Sequence, residues 1–226
     1  MFTGIVTAMG SVRRVKRTAR GLEVEIAHPY RKQPWIGESI AVDGTCLTVV
    51  AAQPKTFTVE AVTMTRSRTT FGAYRAGRAV NLERSLKLGD LLGGHLVSGH
   101  VDGVGTVVRR RVLADSVLLD IRVPRLVADL TVLHGSIAVD GISMTVNALP
   151  RRGVVQISVI PHTLEVTTLG RARVGTRVHL EADLIGKFVQ HLLAPHRVAR
   201  PQRVARPHRV ARPHRAAREE NGGGAR

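Results

Sequence analysis

The sequence predicts an all-β chain made of two tandem copies of one small barrel, and three observations carry that expectation. The segment Ser39-Ile40-Ala41-Val42-Asp43-Gly44-Thr45-Cys46-Leu47-Thr48-Val49 returns 97 residues later at 136–146, with eight of eleven positions identical. Val, Ile and Leu recur in short runs, which favours strands over long helices. Each copy of the repeated segment is centred on Asp-Gly, a strong hairpin signal.

The repeat runs well beyond that segment. Phe57-Thr58-Val59 through Phe71-Gly72 answers to Val155-Gln156-Ile157 through Leu169-Gly170, and 76–83 answers to 174–181. The opening Thr3-Gly4-Ile5-Val6 answers more weakly to Ser98-Gly99-His100-Val101. A unit of 95–98 residues is too long for a solenoid repeat and has the length of a small domain. Within the copies, 22–26 and 117–123 alternate, 39–42 and 46–50 flank Asp43-Gly44, and 136–139 and 143–146 flank Asp140-Gly141. Short, evenly spaced strands suit a small barrel or a sandwich. About six strands in under 100 residues leave edges that closure removes, so the barrel is the better expectation.

The resulting boundaries are an N-terminal barrel over 1–94, a C-terminal barrel over 95–183, a helix over 184–194 and a tail over 195–226. Leu184, Ile185, Phe188, Val189, Leu192 and Leu193 form a helical apolar stripe. The pattern leaves open whether that stripe packs on its own barrel or on another subunit. Proline opens a near-copy of PHRVAR at 195, 201, 207 and 213. That period blocks a helix and the segment has no apolar face, so it reads as a disordered basic tail.

The formal net charge is +17, of which the tail, with nine Arg and two Glu, holds +7. A basic balance suits anionic partners. Aromatics are only 3%, and the chain lacks interleaved aromatics for base stacking, which argues against nucleic acid as the main partner. Cys46 is the single cysteine, which excludes an intramolecular disulfide and fits a reducing compartment. The opening residues lack the pattern of a signal peptide, and no apolar run reaches membrane-spanning length. The reading is a soluble cytoplasmic protein without a membrane partner.

Gly93-Gly94-His95-Leu96-Val97-Ser98-Gly99-His100-Val101, the opening Met1-Phe2-Thr3-Gly4-Ile5-Val6, the paired SIAVDGxxxTV segments, and Ile160-Pro161-His162-Thr163-Leu164 with Thr167-Thr168-Leu169-Gly170 occur together. In this order, over roughly residues 1–190, they resemble the riboflavin synthase family, which has a duplicated lumazine-binding domain. The resemblance implies two six-stranded Greek-key barrels and a C-terminal helix through which a homotrimer forms. It implies no cofactor and no metal. The implied substrate is 6,7-dimethyl-8-ribityllumazine, two molecules of which dismutate by four-carbon transfer into riboflavin and 5-amino-6-(D-ribitylamino)uracil. The implied active site lies between the N-barrel of one subunit and the C-barrel of another. An association with lumazine synthase is a further implied partner.

The reaction needs two similar heterocycles held face to face, which is largely a matter of proximity and orientation, and a duplicated domain supplies two similar pockets. By resemblance, Cys46, Leu47 and Thr48 line one site, and Ser143, Met144 and Thr145 line the other. Cys46 reads either as a nucleophile or polar contact, or as a small buried hydrophobe; its counterpart Ser143 favours the polar role. Gly4, Ile5 and Val6, with Gly99, His100 and Val101, are expected to give backbone contacts, the glycines allowing close approach of a planar ring. His100 is a candidate for proton transfer, and His95 reads as structural. The catalytic candidates are therefore His100, Ser143 and Cys46. Phe2 reads either as a ring that stacks on lumazine or as a core anchor.

The strand ends Glu60-Ala61-Val62-Thr63-Met64-Thr65 and Val159-Ile160-Pro161-His162-Thr163-Leu164 complete the expected binding positions, with Thr65 and Thr163 equivalent. Asp183 reads as a ribityl contact or a helix N-cap, and Lys187 as a second ribityl or ion contact. Two positions depart from the family pattern. Met64-Thr65-Arg66 stands where Glu-Thr-Leu is expected, and His134 stands where lysine is common. A non-catalytic lumazine- or flavin-binding protein of the same fold is the alternative, and Met64 leans towards it.

Overall fold

The computed structural model describes residues 1–193. The expected tail, 195–226, and residue 194 of the expected helix lie outside the described residues. The first six strands are β1 (Ala8–Thr18), β2 (Gly21–Ala27), β3 (Ser39–Val42), β4 (Thr45–Ala52), β5 (Thr56–Val62) and β6 (Ala79–Arg84), with helix α1 (Thr63–Arg68) after β5. They close into an antiparallel barrel in the order β1-β2-β5-β4-β3-β6. The next six are β7 (Gly103–Val112), β8 (Val117–Arg122), β9 (Ser136–Val139), β10 (Ile142–Arg151), β11 (Val154–Val159) and β12 (Arg177–Ala182). Helices α2 (Arg125–Leu130), α3 (Pro161–Val166) and α4 (Leu184–Leu193) follow β8, β11 and β12. The second barrel closes as β10-β11-β8-β7-β12-β9, which is the same cyclic order as the first. The expected fold class, two six-stranded Greek-key barrels in tandem, is what forms.

Closure has visible local causes. Both Asp-Gly turns hold positive φ at their two central residues, 44° and 76° at Asp43-Gly44 and 46° and 76° at Asp140-Gly141. These are type I′ turns, whose twist matches that of the strands they join. Register shifts fall at equivalent places in the two copies, at Val12/Arg14 and Val107/Arg109, and at Val49/Ala51 and Val146/Ala148. Such bulges sharpen strand curvature, which a barrel this small requires.

Alternation then sorts the side chains. Val24, Ile26, Ile40, Val42, Leu47, Val49, Phe57 and Leu82 fill the first barrel, and Leu119, Ile121, Ile137, Val139, Met144, Val146, Ile157 and Leu180 fill the second. A third, smaller cluster of Phe2, Ala41, Val97 and Ala138 lies between the barrels. Strand β8 departs from the expected alternation, because Val117 to Ile121 are all buried. Its buried Asp120 is satisfied by Gln156 Nε2, which donates to Oδ1 at 2.6 Å.

Helix α4 keeps its apolar stripe in the open: none of its residues is buried, and Ile185, Phe188, Leu192 and Leu193 are well exposed. Among the described residues the second barrel leaves most of this stripe uncovered. Asp183 Oδ1 accepts the Ile185 N–H at 2.9 Å, so Asp183 caps the helix. Among the described residues, no helix is long and apolar enough to cross a membrane.

Candidate functional site

The opening segment of each repeat crosses to the other repeat's barrel. Phe2 and Val97, which are equivalent in the two copies, pair with each other in an isolated antiparallel bridge, Phe2 N–H donating to Val97 O at 2.8 Å and Val97 N–H to Phe2 O at 3.1 Å. From there Gly4 passes onto the second barrel, where its carbonyl accepts the Ser143 N–H at 2.8 Å. In the mirrored arrangement Gly99 passes onto the first barrel, and its carbonyl accepts the Cys46 N–H at 2.8 Å. Both glycines hold positive φ, 75° and 80°. A Cβ on Gly4 would stand 2.7 Å from Ser143 Cβ, and one on Gly99 would stand 2.6 Å from Cys46 Cβ. Only glycine supplies both the backbone conformation and that closeness.

Two buried carboxylates hold these crossings, and the sequence reading had not singled them out. Glu83 Oε1 accepts the Thr3 N–H at 2.6 Å and the Thr3 hydroxyl at 2.8 Å, and Oε2 accepts the Gly4 N–H at 3.1 Å. Glu181 repeats the pattern: Oε1 accepts the Ser98 N–H at 2.7 Å and its hydroxyl at 2.6 Å, and Oε2 accepts the Gly99 N–H at 3.0 Å. Burial pushes both carboxyls above the ordinary glutamate range, and the hydrogen bonds from Thr3 and Gly4, or from Ser98, pull back against it. The available signal was the equivalence of Leu82-Glu83 and Leu180-Glu181 in the repeat.

On the first barrel the crossing encloses a cleft of about 250 Å3, lined by Thr45, Cys46, Met64, Thr65, Arg68, Thr69, Gly99, His100 and Val101. Six of these were expected from the sequence; Thr45, Arg68 and Thr69 were not. Strand β4 turns Cys46 and Thr48 outward and Leu47 inward, and β10 does the same with Ser143, Thr145 and Met144. Leu47 and Met144 are barrel core, so they support the sites from behind. Ala61 and Val159 are likewise buried. Phe2, 0% exposed, is the anchor between the barrels and presents no face for stacking. Glu60 is half-buried at the end of β5, Val62 and Thr63 are exposed there, and Ile160, Pro161 and His162 are exposed at the start of α3.

The equivalent face of the second barrel carries Ser143, Gly4, Ile5, Val6 and the α3 residues Thr163 and Leu164. It is built on the same plan with different polar groups. Ile5 stands where the first site has His100, His162 where it has Met64, and Val166 where it has Arg68. His95, which has no counterpart at the first site, places Nδ1 2.8 Å from Ser143 Oγ, while its N–H donates to Thr3 O. Burial pushes the His95 imidazole below its ordinary pKa, with the Asp183 charge opposing. A neutral imidazole against a hydroxyl is the geometry of general-base activation. His95 thus stands closer to chemistry than the structural role the sequence suggested.

Two further expected positions are held by local contacts. His134 is exposed in the turn before β9, with φ 61° and its N–H donating to Val146 O; its equivalent in the first copy is Gly37, at φ 91°. Lys187 is held by Asp102, Nζ to Oδ2 at 2.7 Å.

Behind both sites lies a buried network joining the barrels. The Asp43-Gly44 and Asp140-Gly141 turns touch backbone to backbone. Asp43 Oδ1 accepts the Asn81 N–H and Asp140 Oδ1 accepts the His179 N–H, each at 2.7 Å. Tyr74 OH donates to Asp43 Oδ2 at 2.5 Å. Burial drives both aspartates upward, Asp140 well above its ordinary range. Asp140 has only Ala172 where Asp43 has Tyr74.

Comparison with known proteins gives concordant matches. The family described as lumazine binding domain matches the chain twice, over residues 3–85 and 98–183. The riboflavin synthase of Mycobacterium tuberculosis is 44% identical over 202 residues, covering 85% of this chain and 98% of that protein. That of Brucella abortus is 42% identical over 198 residues with the same coverage. That of Bacillus subtilis is 36% identical over 194 residues, covering 85% of this chain and 90% of that protein. Among solved structures, LumP complexed with 6,7-dimethyl-8-(1'-D-ribityl) lumazine has the same fold, with a TM-score of 0.71 at 22% identity, covering 80% of this chain and 99% of that one.

Proposed function

Because the chain belongs to the riboflavin synthase family of duplicated lumazine-binding domains, we propose that it is a riboflavin synthase, a transferase that dismutates two molecules of 6,7-dimethyl-8-ribityllumazine. The observation that carries the reading is the pair of sites built on one plan with unequal polar groups: Cys46 and His100 on the first barrel, Ser143 with His95 on the second. Two identical substrates that play donor and acceptor need two such sites, similar in shape and different in proton chemistry. One molecule yields a four-carbon unit and becomes 5-amino-6-(D-ribitylamino)uracil, while the other gains it and becomes riboflavin. The products contain all the atoms of the two substrates, so the exchange balances without an oxidant, a reductant or water.

The residues divide the work accordingly. The crossing segments offer backbone groups and small glycine surfaces to the flat rings. Ser143, relieved of its proton by His95, and Cys46 are the groups for nucleophilic or polar contact with a ring, and His100 exchanges protons at the first site. The reacting rings meet where the N-barrel of one subunit faces the C-barrel of the next, in a homotrimer held through α4; the open stripe of Ile185, Phe188 and Leu192 supports that assembly.

The test is to mix the purified protein with 6,7-dimethyl-8-ribityllumazine, with nothing else added, and follow riboflavin by absorbance and fluorescence. Riboflavin appearing at half the rate of lumazine loss is expected. Binding without turnover would instead favour a lumazine carrier, the second reading, which rests on Met64 in the wall of the first cleft where the family pattern has a carboxylate.

A further inference from the structure

The wall of the first cleft is anchored by the opposite barrel. Helix α1 and the residue after it supply Met64, Thr65, Arg68 and Thr69 to the cleft. Thr69 closes the helix, its hydroxyl donating to Thr65 O at 2.7 Å. The next residue, Thr70, donates its N–H to Nε2 of His179 at 2.8 Å, and His179 belongs to β12 of the second barrel. The other ring nitrogen, Nδ1, lies 2.8 Å from Asp43 O. A carbonyl only accepts, so Nδ1 carries the hydrogen; the Thr70 amide only donates, so Nε2 carries none. The two contacts together admit one form of the ring, the neutral Nδ1–H tautomer.

The second barrel has the same device with a different residue. Asn81 of β6 donates Nδ2–H to Asp140 O at 2.9 Å, and its Oδ1 accepts the Thr168 N–H at 2.8 Å. Thr168 follows α3 as Thr70 follows α1. The amide and the imidazole therefore do the same task, donor to an Asp-Gly turn and acceptor for a threonine amide, each from one barrel into the other. They differ in that the amide does not titrate.

We propose that His179 is a positioning residue for the lumazine site of the opposite barrel, and that its protonation releases that site while the Asn81-anchored site stays formed. The ligand part of this inference rests on reading the cleft as a lumazine site. Adding a proton at Nε2 sets N–H against the Thr70 N–H. The Thr70 hydroxyl, also 2.8 Å from Nε2, is there to accept the new hydrogen, and the Thr70 amide is then left without its acceptor. The groups around the ring are Asp140 on its own N–H, Asp43 with Tyr74 and Arg78, Thr45 Oγ1 at 3.4 Å from Nδ1, and the Phe71 ring stacked at 5.9 Å between centroids. Burial, helped by Arg78 and Arg177 against the pull of the Asp43 carbonyl, lowers the imidazole pKa to about 4.

The experiment counts riboflavin, the product and so not itself consumed, bound per chain by equilibrium dialysis from neutral pH to about pH 3, below the imidazole's midpoint of about 4. It uses the full chain and a His179→Asn variant that copies the Asn81 arrangement. The unaltered protein is expected to go from two ligands per chain to one, with the variant keeping two at every pH. Loss of both ligands together, or the same pH midpoint in the variant, would overturn the proposal and leave the proposed activity standing. A second readout needs no ligand: the hydrogen-exchange rate of the Thr70 amide divided by that of Thr168. That ratio is expected to rise at least tenfold on acidification in the unaltered protein and to stay flat in the variant; a flat ratio in both would refute the anchor. Two-site binding absent at neutral pH, with the exchange ratio behaving as expected, would reject the lumazine reading and retain the anchor.

Discussion

Replacing Glu181 by glutamine probes the crossing of the chain between barrels. The carboxylate takes three hydrogens, the Ser98 N–H, the Ser98 hydroxyl and the Gly99 N–H, and is 3% exposed. Glutamine keeps one acceptor oxygen. If that oxygen stays with Ser98, the new NH2 group faces the Gly99 amide, donor against donor. An unsatisfied buried amide costs about 1–3 kcal/mol, and two charge-assisted bonds fall to neutral strength. Removing a charge that burial already disfavours, as the raised pKa of Glu181 shows, offsets part of this. A net local loss of about 2 kcal/mol corresponds to roughly 30-fold weaker binding at the site built on Gly99, His100 and Val101. Glu83 holds the other crossing, so the site at Ser143 keeps its affinity. Riboflavin titrations, with the product that is not itself consumed, resolved into two classes of site measure this, and Glu83→Gln is expected to give the mirror image. Equal weakening of both sites by either variant, or no weakening of the first site in Glu181→Gln, would refute the crossed arrangement.

Gly99→Ala adds a methyl 2.6 Å from Cys46 Cβ at a φ of 80°, so left-handed strain and overpacking together cost about 3 kcal/mol, read as a Tm lowered by roughly 6–12 °C. Gly77→Ala, at a similar φ of 86° with nothing within 4 Å, is expected to cost only the strain, about 1 kcal/mol; equal losses at the two glycines would sink the close-approach argument. His134→Gly removes a left-handed non-glycine at an exposed turn and is expected to stabilise by about 1 kcal/mol in denaturant unfolding with riboflavin affinity unchanged; weaker riboflavin binding would put His134 at the site. For pH, His179 has a folded pKa of about 4 against 6.5 unfolded, so its contribution is whole above 6.5 and is lost as pH falls towards 4, by about 3 kcal/mol. Glu83 and Glu181, raised in the fold, act with the opposite sign and gain as pH falls. Unfolding free energies across that range are expected to drop by about 3 kcal/mol more in the unaltered protein than in His179→Asn, and parallel curves would contradict the neutral-histidine assignment.

Much of this architecture was legible because it is local. Asp-Gly at 43–44 and 140–141 calls for a type I′ turn whatever surrounds it, since few other pairs hold positive φ twice. Alternation along β4 and β10 sends Leu47 and Met144 inward and leaves Cys46 and Ser143 outside, because a strand has a period of two. The repeat told that whatever one barrel holds, the other holds in kind. Helix α4 was legible as a stripe, and its open face follows from what the chain leaves uncovered.

What the tertiary structure decided is which barrel each piece serves. Thr3-Gly4-Ile5-Val6 precedes the first barrel in sequence yet lies on the second, and Ser98-Gly99-His100-Val101 lies on the first. Either placement satisfies the same local pattern; the choice is made by contacts between the copies, the Phe2–Val97 bridge and the Ser143 and Cys46 N–H groups donating to Gly4 O and Gly99 O. His95 looked structural because nothing in the chain brings it near Ser143 except that crossing. The likeness of Asn81 and His179 stayed hidden for a chemical reason. Asparagine and histidine do not align as like residues, and only the positions of the Asp43 and Asp140 carbonyls and the Thr70 and Thr168 amides show that each supplies one donor and one acceptor across the seam.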